Sequence, residues 1–522
     1  MIYWGNMNLI NKILKFKFAI ILLLIIIFLL FFFRLFNLTI FPIFADEAIY
    51  IRWSQIMRAE QTLRFLPLSD GKQPLFMWLV MPFLSLIKDP LIAGRIVSVF
   101  SGFFTLIGIV MVSWFLFKNK WICLISGFFY AIIPFAVFFD RLALVDSLLT
   151  TTGIWFFGLA VLLVKHERFD LAIIAGLVLG SGLITKSPAL FYALMLPSTI
   201  LLIDFRKNIT KNRFKLIIKR IGLWVIVYGF AFAVYNILRL GPNFHLINER
   251  SLDYVFSLNE IIKHPLDPFL PHLPQVWSWF VSYINWPVIT LFIIGLFWGL
   301  GEKRKEILLL AIWFFLPLIS EMVTAKVFTA RYLFFIIPYG LIVSAYGFFN
   351  LHKFLFTQIN KKIIKYAILA ISVGLVSLSS ISFNALLLTN PQLVSLSTDE
   401  RSGYLEAWTS GYGINEVRDY LNNLQSDKQI IVGTEGYFGT LPDGLMIYFD
   451  KNKKVTIIGI GLGLSEIPNQ LVDSSSKGNP TYLVINRSRI YIPNHPRLKL
   501  IFEVPKAYSQ NQKDSLMFFQ VL

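Results

Sequence analysis

Apolar runs of about 18–25 residues, the length that crosses a hydrocarbon core of roughly 30 Å as helix, recur along the first three-quarters of the chain. They fall at approximately 18–40, 74–88, 91–117, 121–139, 147–164, 171–185, 188–204, 221–240, 276–300, 307–322, 332–350 and 366–389. The first follows Lys12, Lys15 and Lys17 like a secretory signal. It is too long and lacks a small-residue cleavage site, so an uncleaved anchor is expected. The second, "KQPLFMWLVMPFLSLI", is short and carries Pro74 and Pro82.

Parity decides whether 74–88 crosses. With the N-terminus inside and 74–88 not crossing, the inside loops are 118–120, 165–170, 205–220, 301–306 and 351–365. These include "RKNITKNRFKLIIKR" and "GEKRKE". The strongly basic short loops then share one side, as the positive-inside bias requires. If 74–88 crossed, they would all move outside. We therefore expect a juxtamembrane or re-entrant segment at 74–88 and about eleven spanning helices.

Beyond residue 389 the pattern shortens. "KQIIVGT", "GLMIYFD", "KVTIIGI", "TYLVINR", "LKLIFEV" and "LMFFQVL" are β-branched and aromatic, bounded by Gly, Pro, Asn and Asp, and read as strands. "INEVRDYLNNLQ" has helical spacing. The expected organisation is a polytopic α-helical membrane domain over 1–389 and an α/β domain over 390–522, which parity places outside the cell membrane.

Composition agrees. The 522 residues are 56% hydrophobic and 15% charged, where soluble domains carry about a quarter charged. A net charge of +18 invites a nucleic-acid reading, but basic loops between spans account for it and no nucleic-acid partner is expected. The single cysteine, Cys123, excludes a disulfide framework within the chain and a zinc-finger spacing.

The charges outside the basic loops are more informative. Asp46 and Glu47 open the first outside loop and Lys72 closes it. Arg141 and Asp146 lie where the third span emerges, Lys186 at the outer end of the fifth, and Lys326 and Arg331 in another outside turn. Each has a structural reading taken alone. The acids suit a helix N-terminus, Lys72 could snorkel, and Arg141 with Asp146 could pair two helices. Together they place ionisable groups from distant segments at one membrane depth, which marks a functional site. Carboxylates serve as general base or hold a divalent metal, and Lys and Arg suit a phosphate. The combination fits attack of a hydroxyl on a carbon whose leaving group is phosphate. Outside the membrane no nucleotide-sugar pool is at hand, so the expected donor is a sugar on a polyprenyl phosphate.

"ADEAIY", "KQPLFMWL", "RLALVDSLL", "TKSPAL" and "ARYLFFIIP" stand in an order and spacing that resembles the GT-C glycosyltransferases of family 39 type, the protein O-mannosyltransferases and the aminoarabinose transferases acting on lipid A. The resemblance covers roughly residues 18–350. It implies an inverting transferase that moves a hexose or pentose to a hydroxyl of protein, lipid or polysaccharide in the cell envelope. It further implies Asp46 as catalytic base with Glu47 beside it and Asp146 as a second acid. Lys72, Arg141, Lys186 and Arg331 would serve the donor phosphate, and Asp46 and Asp146 would hold any Mg, Mn or Zn ion. The segment 74–88 matches the family's juxtamembrane helix. The chain departs from the family in having Gln73 where a proline is common and Ser187 where a glycine is. It also lacks a clear MIR-type repeat, which weakens protein mannosylation as the specific activity.

Other signals carry less. Gly459, Gly461 and Gly463 are too closely spaced for a dinucleotide fingerprint. His245, His264 and His272 lack metal-pair spacing, and the prolines of 241–275 argue for an irregular surface loop. Trp277, Trp279 and Trp286 suit an interfacial belt, a sugar or a polyprenyl chain. "SGYLEAWTSGYGINE" is either a turn or a flap over the site. The rival function is a transporter or flippase of a lipid-linked or charged solute, but that calls for charges near the midplane and repeated halves, and neither is found. A sensory protein whose outer domain binds a ligand would need neither Asp46 nor Asp146.

Overall fold

The computed structural model describes residues 3–203, 213–507 and 514–522; the core of the basic loop 205–220 lies outside them. Among the described residues, seven helices are long and apolar enough to span a bilayer, or nine if each of two bent pairs is one span. The expected fifth and sixth spans are the shorter apolar helices Phe169–Leu183 and Ser187–Leu202. The second of these contains Pro188 and Pro197 and winds largely as 3-10 turns, which rise about 2.0 Å per residue instead of 1.5 Å. The segment expected to stop short does so: Leu75–Leu86 is 12 residues, about 18 Å of helix.

Buried arginines fix the chain where it leaves the first helix. Arg141 donates to the carbonyls of Phe33, Arg34, Phe36 and Asn37, satisfying acceptors that a helix C-terminus leaves open. Arg34 pairs with Asp140 at 2.8 Å, both fully buried. Arg95 continues the hold, donating to Leu38, Phe41 and Pro42 carbonyls and to both oxygens of Glu47. Glu47 also accepts from the backbone N–H of Phe44 and of Ala143. The turn 36–44 is thus held on both flanks, and helix Ala45–Ala59 starts from a rigid point.

The loop expected over 241–275 is instead helical: Leu246–Tyr254, Leu258–Lys263 and the start of Leu266–Tyr283. Pro268, Pro271 and Pro274 recur every third residue, so the missing N–H groups fall along one side of the last helix. The same helix buries Val276, Trp279 and Tyr283.

After Thr389 the chain forms an α/β unit. Its strands are β1 (Ile430–Thr434), β2 (Val455–Gly459), β3 (Thr481–Asn486), β4 (Leu498–Pro505) and β5 (Ser515–Val521), in the order β2-β1-β3-β5-β4. β2, β1 and β3 run parallel, while β5 and β4 join antiparallel with a bulge between Leu500 and Phe502. "GLMIYFD" is a correction: it belongs to helix Thr440–Phe449. Leu441, Leu445 and Phe449 are buried at four-residue spacing, and Asp443 accepts from the Gly439 N–H ahead of the helix. A short apolar run does not itself distinguish strand from helix. This helix packs on Ala45–Ala59, where Gln55 donates to the Ile447 carbonyl and Arg52 pairs with Asp450 at 2.6 Å.

Candidate active site

Five of the seven predicted site residues converge. Asp46, Lys72, Asp146, Lys186 and Arg331, from five separate segments, line one cavity of about 460 Å³, within the range of roughly 300–1,000 Å³ typical of ligand sites. Asp46 lies in the first turn of Ala45–Ala59 and Asp146 in the first turn of Val145–His166. Both carboxylates therefore sit at the positive end of a helix dipole. Lys72 follows a 3-10 turn, Leu66–Asp70, that closes through Gly71 at φ +68°. A Cβ on Gly71 would lie 2.6 Å from Cβ of Arg250. Only glycine lets this turn approach helix Leu246–Tyr254 so closely.

The charges are matched in pairs. Arg331 Nη1 lies 2.7 Å from Asp46 Oδ2, and Lys186 Nζ lies 2.6 Å from Asp146 Oδ1. Asp70 takes Lys72 at 3.2 Å and Arg250 at 2.6 Å. Aromatic faces line the cations: Lys186 stands 4.1 Å from the Tyr332 ring centre and Lys72 5.5 Å from that of Tyr50. Burial pushes the Asp46 carboxyl up, but Arg331, with Lys72 and Lys186 behind it, outweighs burial and holds it below the ordinary carboxylate value. Asp46 is therefore ionised at neutral pH and stands ready to accept a proton or a hydrogen bond.

Glu47 and Arg141 lie outside this cavity. Both hold the turn that delivers Asp46, Glu47 through both its oxygens and Arg141 through its two terminal nitrogens. Lys326 also stays out, donating to Leu252, but its backbone N–H bonds to the Tyr254 carbonyl and closes the rim. Among the described residues no group of three or more His, Cys, Asp or Glu gathers to hold a metal. The two expected ligands, Asp46 and Asp146, each face a cation instead, so this donor set does not fit a resident divalent ion and no step is derived through one.

The cavity residues not anticipated include Asp70, Arg250, Tyr332 and Glu321. Glu321 had a legible signal, an acid inside the apolar run 307–322. Arg250 had none, because its partner Asp70 is 180 residues away.

The unit beyond Thr389 braces the site. Ala45 N–H donates to the Thr409 carbonyl, and Ala330 N–H donates to Glu400 Oε1 at 2.8 Å. The residue preceding each member of the Asp46–Arg331 pair is thus tied to the same segment. That segment includes the Gly- and Tyr-rich stretch, whose Tyr404 ring packs 4.4 Å from Phe44. A groove of about 710 Å³ lies half a helical turn round Ala45–Ala59, between Arg58, Lys88 and Arg418, and contains none of the predicted residues.

Residues 71–230 match the family model described as dolichyl-phosphate-mannose-protein mannosyltransferase. No curated protein matches the sequence. Among solved structures, ArnT from Cupriavidus metallidurans in the apo state aligns at 12% identity over 97% of this chain and 98% of its own, TM-score 0.55. The same enzyme bound to undecaprenyl phosphate aligns at 14% identity over 96% and 98%, TM-score 0.51. The oligosaccharyltransferase AglB from Archaeoglobus fulgidus, in complex with an inhibitory peptide and a dolichol-phosphate, aligns at 12% identity over 90% of this chain and 70% of its own, TM-score 0.55. The chain thus has the polytopic membrane fold of GT-C type shared with ArnT and AglB, and its segment 71–230 matches a mannosyltransferase family model.

Proposed function

We propose that the protein moves a sugar from a polyprenyl-phosphate donor to a hydroxyl acceptor at the outer face of the cell membrane. The observation that carries this reading is the gathering of Asp46, Lys72, Asp146, Lys186 and Arg331 around one cavity. Structural neighbours holding undecaprenyl phosphate and dolichol-phosphate support the donor class.

In the reaction, the acceptor oxygen attacks the anomeric carbon while the bond from that carbon to the phosphate oxygen breaks. The bonding electrons leave with the lipid phosphate, and the hydroxyl proton passes to Asp46. One displacement inverts the anomeric centre. Lys72, Lys186 and Arg331 supply positive charge where the leaving group becomes more negative, inside a partly closed cavity that strengthens the effect. Arg331 has two roles: it keeps Asp46 ionised before the donor arrives, and it gains a second anion to partner once the phosphate is bound. Asp146 holds Lys186 in place.

Purified protein in liposomes, given a panel of radiolabelled polyprenyl-phosphate sugars and mixed cell-envelope acceptors, should transfer label. Asp46→Asn should lower the rate by about 10²–10⁴-fold, the contribution of a positioned base, and a chelator should leave transfer intact. Full-rate transfer by Asp46→Asn would remove the base assignment. Failure of the wild type to consume any donor would favour the transport reading.

A further inference from the structure

The cavity contains four carboxylates, and three have cations: Asp46 has Arg331, Asp146 has Lys186, and Asp70 has Lys72 and Arg250. The fourth, Glu321, does not. It lies in the last turn of helix Lys305–Thr324, four residues beyond the internal Pro317, and is 8% exposed. Among the described residues its carboxylate has neither a hydrogen-bond nor an ion-pair partner. The charges that act on it are Lys186 and Asp146. Asp146 itself engages Lys186 through Oδ1 alone, while its Oδ2 is buried without a partner. Two acceptors without donors therefore belong to one region of one cavity.

Asp146 Oδ2 is a buried polar atom, and such atoms are almost always satisfied, so this orphan beside the unpaired Glu321 carboxylate that lines the cavity calls for a ligand group. The reaction limits which group that is. A phosphodiester brings only acceptors. The acceptor hydroxyl is directed to Asp46. The remaining donors are the substituents on the sugar ring. Resting on the transferase reading above, we infer that Glu321, with the free oxygen of Asp146, is the sugar-reading edge of the cavity. Glu321 accepts a hydrogen bond from one hydroxyl or amino group of the donor sugar and thereby selects among sugars. It is a specificity residue, with no part in making or breaking the glycosidic bond.

The test is a cycle between protein and substrate. Wild type, Glu321→Gln and Glu321→Ala are assayed for kcat/KM with the working donor and with its analogues, each lacking one ring hydroxyl or carrying hydroxyl in place of an amine. A site built to bind a hydroxyl rejects the analogue lacking it by up to about 10⁴–10⁵-fold. One analogue should therefore be strongly disfavoured by wild type, while Glu321→Ala should show little further loss on that analogue alone. That non-additivity is the signature of a direct contact. Glu321→Gln is nearly isosteric and carries the test if the alanine variant fails to fold. A purely structural Glu321 would lower every donor by the same factor, and such uniform loss overturns the inference while leaving the transferase reading intact. Absence of transfer by wild type from every donor overturns both.

Discussion

Burial and the Arg331 guanidinium act on Asp46 in opposite directions, and the cation prevails. Because the folded pKa is depressed, the carboxylate persists at neutral pH and the base is lost only as pH falls through that lowered value. Arg331→Gln leaves burial opposed only by the more distant Lys72 and Lys186, so the acid limb of kcat/KM should move up by roughly 1–3 pH units, the usual effect of a close opposite charge. An unmoved limb would assign that titration to another group. Its neighbour Glu47 behaves differently although only one residue away. Arg95 meets both its oxygens, at 2.9 and 2.8 Å, where neither side chain reaches solvent. Arg95→Met should destabilise the protein by about 3–5 kcal/mol, because it strands a buried carboxylate. A lowered thermal midpoint in detergent would report it, and an unchanged midpoint would contradict this role. The sequence showed two adjacent acids at a membrane exit, but not that successive helical positions point one into the cavity and the other into the protein core.

At the level of elements, the site depends on the unit beyond Thr389 as much as on the bundle. Glu400 holds the Ala330 N–H, one residue before Arg331. Glu400→Ala should reduce transfer by roughly 10²-fold, the effect of a displacement near 1 Å at a catalytic group, with the protein still folded and monodisperse. Wild-type activity in that variant would show that the brace is dispensable. Apolar run length was enough to read the bundle and the short helix 75–86, and β-branched and aromatic runs bounded by turn residues were enough to read all five strands from sequence. Helix Thr440–Phe449 was misread because ten residues with a short apolar run satisfy both periodicities. The helices of 246–283 were missed because proline argues for a loop until the packing of the segment is known. The bonds of Ala45 and Ala330 to the segment 400–409 had no sequence signal: the first joins two backbone groups that any residue supplies, and the second joins the Glu400 side chain to a backbone N–H 70 residues away.

For the whole molecule, the site and the α/β unit share one end of the bundle, and the proposed function has that end outside the membrane, as the positive-inside bias predicts. The only cysteine, Cys123, is buried, so single-cysteine labelling has a low background. With a membrane-impermeant maleimide on intact cells, Tyr437→Cys, at a position 76% exposed in the α/β unit, should label. Lys303→Cys, in the loop 301–306, should label only after permeabilisation. The reverse pattern would invert the topology. The internal pairing of charges in the cavity also bears on turnover. A pocket lined with unpaired cations would hold the spent lipid phosphate as firmly as the donor. Here each cation has a resident acid waiting to reclaim it, so the departing product leaves no bare charge behind. Asp146→Asn, which releases Lys186 from its carboxylate, should therefore make the free polyprenyl phosphate a stronger inhibitor than it is of the wild type, and product release becomes the slow step of the cycle.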